Sequence, residues 1–161
     1  MHSAQKEFLE ERFAAKDWHG RAESGRRLVK EFHFEGSELK GWKLLKSKHT
    51  EEESTKVVRS MWGHGDNADE LLSVNVFVAV SVKAAHEILL EALANMQSGA
   101  IERKTEKNTP GDVAFGLANT MLTFARANLV VVIRNAGPNI VPVGTLARDL
   151  DAQIQRRLDS D

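Results

Sequence analysis

Two runs rich in β-branched residues, 71–80 (LLSVNVFVAV) and 129–133 (LVVVI), are each followed by a helical apolar stripe. This order constrains the chain more than any other feature. In the first run Val74, Val76, Val78 and Val80 share one side, and Asn75, Phe77 and Ala79 the other. Both sides are mostly apolar, as in a strand from the middle of a sheet. The second run is unbroken and reads as a buried strand of the same kind.

Ser81 follows the first run, and its hydroxyl can accept a backbone N–H left unpaired at a helix start. Behind it Ala85, Ile88, Leu89, Ala92, Leu93 and Met96 recur at helical spacing, while Lys83, Glu87, Glu91 and Asn95 face away. After Pro142, a residue suited to a first helical turn, the stripe Val143, Leu146, Ala147, Leu150, Ile154 and Leu158 marks a second helix. Shorter strands are expected at 57–62, 112–115 and 121–125, with a turn at Arg126-Ala127-Asn128, where Asn tolerates left-handed geometry. Strand, turn, strand, helix thus occurs twice, at 57–96 and 121–158, a ββα pseudo-duplication. The expected class is α+β: a mostly antiparallel sheet with two helices packed on one face. An N-terminal amphipathic helix is expected over residues 4–16. Residues 28–34 and 39–45 suggest a hairpin, and 47–56 and 102–111 read as polar loops.

At 161 residues the chain fits a single domain, 1–161, with a peripheral N-terminal helix in 1–20 and a core in 57–158. The 22 Lys+Arg and 23 Asp+Glu sum to a net charge of −1, so no global field attracts nucleic acid or an acidic membrane. There is no Cys, which removes disulfides, thiol nucleophiles and Cys-type zinc sites. No apolar run reaches the ~20 residues of a membrane span, and the start lacks the apolar stretch of a signal peptide. The sequence as it stands reads as cytoplasmic, or as periplasmic or extracellular if a leader preceded it.

No complete catalytic constellation is present. His86-Glu87 opens like a zinc-protease helix, but Leu90 stands where the second His is required. The turn Gly63-His64-Gly65-Asp66-Asn67-Ala68-Asp69-Glu70 offers an imidazole and carboxylates. His64, Asp66 and His86 are therefore the candidates for a hydrolase or metal-assisted enzyme, set against ordinary turn chemistry. Asp112, Arg126 and Arg134 suggest an anion site or an ion pair that organises the sheet, and Trp62 is the aromatic candidate for binding. Residues 21–48 hold eight Lys/Arg against four Glu, an excess that fits a solvated face better than a nucleic-acid surface.

Residues 111–115 (GDVAF), 124–131 (FARANLVV) and 146–151 (LARDLD) resemble a recurrent bacterial domain of unknown function, similar to domains found in exported proteins and lipoproteins. The resemblance spans about 111–157, and where those domains often carry Gly this chain has Ala127. It implies a binding or structural role outside the cytoplasm and brings no catalytic residue. The expectation is a non-enzymatic binding or structural module without cofactor or metal. Its partner would be a second copy (a homodimer through a sheet face or the N-terminal helix), another protein, or a small ligand.

Overall fold

The computed structural model describes residues 3–18 and 28–160. Helix α1 (Ser3–Arg12) and a 3-10 turn (Ala15–Asp17) precede a meander of three strands: β1 (Trp42–Glu52), β2 (Thr55–His64) and β3 (Asn67–Val78). Helix α2 (Val82–Met96) then carries the chain to the far edge of the sheet. A second meander returns inward as β4 (Glu102–Arg103), β5 (Val113–Leu117), β6 (Met121–Arg126) and β7 (Leu129–Asn135), and α3 (Gly144–Ser160) ends the fold. The seven strands run in the order β1-β2-β3-β7-β6-β5-β4, every pair antiparallel. The fold is α+β, as the two strand-and-helix runs predict. Among the described residues no helix is long and apolar enough to cross a membrane.

The alternation of β3 and β7 feeds two separate apolar clusters. Val74, Val76, Val78, Leu129, Val131 and Ile133 point to one side, where they meet Val143, Ala147, Leu150 and Ile154 of α3. Phe77 and Val130 point to the other, with Leu89, Leu90 and Leu93 of α2 and with Leu9, Phe13 and Trp18. Each fully buried Leu or Val contributes roughly 1.5–3 kcal/mol through lost contact with water. The two helices therefore lie on opposite faces, which corrects the expectation that both pack on one. A helical stripe shows which side of the helix is buried, and strands apolar on both sides leave open which sheet face receives it. The ββα order recurs, but β3 and β7 are antiparallel neighbours, so a two-fold repeat would place both helices on the same face.

Two further elements differ from expectation. The polar stretch 47–56 is not a loop: β1 runs through it to Glu52, and Glu53 and Ser54, both at positive φ (48° and 71°), turn the chain into β2. Its residues are polar because β1 is an outer strand, and edges are commonly protected by charge. Residues 28–34 form no strand; the side chain of Asn128 holds them instead. Its Oδ1 accepts from Val29 N (2.9 Å), and its Nδ2 donates to Val29 O and Ala79 O (both 2.8 Å). At the other end of β7, Asn135 brackets Val141 in the same manner. The first third of the chain also reaches well into the interior. Leu9, Phe13 and Trp18 enter the α2 cluster, and Phe32, Leu39 and Trp42 the α3 cluster.

Ser81 caps α2 as its sequence predicts, its hydroxyl accepting from Ala84 N (3.0 Å). The tight turn between β6 and β7 has its left-handed residue at Ala127 (φ 53°) rather than at Asn128.

Candidate functional site

Among the described residues, three gatherings of charged side chains bear on the candidate residues. The most buried is the junction of the loop before β5, the β6–β7 turn and α3. Arg126 donates from Nε to Asp151 Oδ1 (2.9 Å), from Nη2 to Asp151 Oδ2 (2.8 Å), and from Nη1 to Asp112 Oδ1 (3.2 Å). With its amide oriented by the hydrogen-bond network, Gln155 accepts from the same guanidinium at 3.1 and 2.6 Å. The second oxygen of Asp112 accepts from Ala127 N (2.8 Å), and Asp151 accepts from Gly111 N (2.9 Å). Gly111 cannot be replaced without movement: at φ +75°, an added Cβ would lie 2.5 Å from Ala125 O. The side chains of Arg126, Asp112 and Asp151 are only 11%, 5% and 9% exposed. This is an ion-pair network that ties the hairpin to the helix, and it occupies the guanidinium that an anion would need. Arg134 takes no part. It lies exposed at the far end of β7, opposite Met121 and Ser73.

A second pair, missed by sequence reasoning, locks residues 35–38 to α3. Glu38 is fully buried and accepts from Glu35 N (2.7 Å), Gly36 N (2.9 Å) and Arg157 Nη2 (2.5 Å). Burial pushes the Glu38 carboxyl up, but these donors together outweigh it and hold the group below its ordinary value. The only signal in the sequence was a carboxylate two residues after Gly36, able to fold back on a turn.

His64, Asp66 and His86 are not brought together. His64 closes β2, exposed, with Nδ1 3.0 Å from Glu70 Oε2 and its ring stacked on Trp42 at 4.6 Å. Asp66 is exposed in the adjoining turn. His86 is on α2 at the opposite end of the sheet, near Asp112 and edge-on to Trp18 at 5.7 Å. Asp112 precedes the cross-strand row Val113–Ala125–Val130–Phe77–Val57, and His64 lies seven residues further along β2. At about 3.3 Å per residue this is roughly 23 Å. The buried Nε2 of His86 has no hydrogen-bond partner among the described residues, and burial lowers its pKa. Trp62, the aromatic binding candidate, is fully buried in the α3 cluster and donates from Nε1 to Ser60 Oγ (2.9 Å). Among the described residues no three His, Asp or Glu side chains converge as a metal ion would require.

The third gathering is on the α2 side of the sheet, beyond the reach of α2. There β1 and β2 present Lys43, Lys46, Lys48 and Arg59, and β7 adds Arg134; all five are exposed. Lys48 stands directly opposite Arg59, and Lys46 shares a row with Met61, Ser73 and Arg134. In these paired rows the counter-charge is Glu52, 3.4 Å from Arg59 Nη2. Leu45, at a register irregularity in β1, is half exposed beside them. Of the basic segment 21–48, Lys43, Lys46 and Lys48 thus belong to this face, while Arg21, Arg26 and Arg27 lie outside the described residues.

Compared with known protein families, with curated proteins and with solved structures, the chain matches none.

Proposed function

We propose that this protein is a non-enzymatic binding module that docks an acidic segment of a partner protein on the cationic half of its sheet. The observation that carries this reading is the directly opposed pair Lys48 and Arg59 within a five-cation face. Like charges facing each other across strands destabilise a sheet, so folding alone gives no reason to keep them. An acidic ligand removes that repulsion and gains from it. Among the described residues the face carries no exposed aromatic ring on which bases could stack, which favours a protein over single-stranded nucleic acid. A second copy would bring the same sign of charge, and Leu9 of α1 and Phe13 just after it are already spent on the chain's own α2 cluster. These two points support a partner other than the chain itself. The binding role also agrees with what the resemblance of residues 111–157 implies.

The test is an amide NMR titration of the full chain with a twelve-residue Asp/Glu-rich peptide at low salt. Shifts confined to residues 43–48, 59 and 134, and lost in the Lys46→Glu/Lys48→Glu double variant, are the expected result. No shift, or tighter binding of a uridine homopolymer at the same residues, overturns the protein-partner reading. Light scattering that shows a dimer broken by the same double variant would replace the acidic partner with a second copy.

A further inference from the structure

On the α3 side of the sheet, at the opposite edge from the cationic face, lies a cleft of about 380 Å³. Its walls are the chain between β4 and β5, the β5–β6 turn, and the first turn of α3. Lys104 reaches it in an unusual way. Its backbone N–H donates to Ala114 O (2.9 Å), and its side chain then lies across Gly116. A Cβ on Gly116 would stand 2.5 Å from Lys104 Cε and 3.4 Å from Nζ, so this path exists only because residue 116 is glycine. Arg148 enters from α3, steadied by Thr145 (Nη2 to Oγ1, 3.1 Å). Gly144 keeps that wall open: a Cβ there would lie 3.1 Å from Asn119 Oδ1 and 3.7 Å from Arg148 Nη1.

Among the described residues neither Lys104 nor Arg148 forms an ion pair, although Lys104 is half-buried. The contrast with Arg126 and Arg157 is direct, since each of those meets a buried carboxylate. A half-buried ammonium gives up part of its hydration and gains most from an ionised acceptor. Glu106 at the rim supplies one negative charge against these two cations, and the amides of Asn108 and Asn119 add neutral polar contacts. The volume falls at the lower end of small-ligand sites.

We propose that this cleft binds a small organic anion, a carboxylate or a phosphate ester, between Lys104 and Arg148. The site goes beyond the docking face and does not depend on it. The test is an amide NMR titration of the full chain with inorganic phosphate and, separately, acetate, each at fixed ionic strength against chloride. Saturable shifts at residues 104, 119, 144 and 148 are expected, and the arm that saturates first names the headgroup. Lys104→Met keeps the aliphatic stem over Gly116, and Arg148→Met keeps the helix surface. Each should weaken binding at least tenfold, while Lys46→Glu/Lys48→Glu leaves it unchanged. Shifts that never saturate, or that survive in the Lys104→Met/Arg148→Met double variant with its amide spectrum intact, overturn the site. Failure of the acidic peptide to bind would leave this result untouched.

Discussion

In the β5–β7 half of the sheet both faces are covered, and Arg126 is buried there, bonded to Asp112 and Asp151 and so joined to three elements of the fold. In the β1–β2 half the α3 side is covered by residues 29–44, while the α2 side exposes cations: Arg59 has Glu52 beside it, and among the described residues Lys43, Lys46 and Lys48 form no ion pair. The same residue types do different work. Arg126 is a strut whose hydrogen bonds fix a hairpin against a helix, and Arg59, held only at the surface by Thr50 and Glu52, is part of a face whose lysines are open to a partner. The difference is desolvation. A buried charge has to be matched where it stands, whereas an exposed one is matched by water until something better arrives.

If the contrast is sound, removing Arg126 should produce the largest effect. Arg126→Ala leaves Asp112 and Asp151 buried without their cation and should cost about 3–5 kcal/mol in urea unfolding. A loss below 1 kcal/mol would make the junction no different from the open face. Asn128→Ala comes next, at about 2–3 kcal/mol, because three hydrogen bonds are lost and buried groups are left unpaired. Hydrogen exchange at Val29 N–H should quicken in that variant before the rest of the sheet responds.

The third expectation concerns pH. Burial lowers the pKa of His86 in the folded protein, so the neutral ring is the one that the fold favours. The stability it contributes is complete above the unfolded value of about 6.5 and is lost as pH falls through and below it. A Tm profile between pH 7.5 and 5 should therefore decline, and His86→Leu should flatten it. A parallel decline in both proteins would assign the acid sensitivity to other groups. The smallest effect is on the open face: Lys48→Glu should raise stability by a few tenths of a kcal/mol, because it turns a like-charged cross-strand pair into an attractive one. A loss would mean that Lys48 has a structural partner, and the comparison would fail.

How much of this was legible in the sequence follows the same division. β3, β7, α2 and α3 announce themselves because burial imposes periodicity, and Asp112 with Arg126 was recognisable as a pair. Asp151 was not, since it lies 25 residues beyond Arg126 and only the packing of α3 brings it near. β1 was hidden for the opposite reason: an outer strand with a solvated face is under little pressure to alternate, so its polar stretch resembles a loop. The left-handed turn residue, Ala127 in place of the tolerant Asn128, shows a local preference overridden by demand elsewhere. Asn128 is needed to hold Val29, and Asp112 secures the strained alanine.

The strand order has a kinetic corollary. β1–β3 and β4–β7 are each built from neighbours in sequence, and the ladder between Leu72–Val78 and Leu129–Asn135 joins them across about 50 intervening residues. The two meanders can form from local contacts at modest loop-closure entropy, and within the sheet this seam carries the long-range closure. The rate at which the chain reaches its native state should therefore respond most to substitutions along that seam, and far less to the hairpins on either side of it.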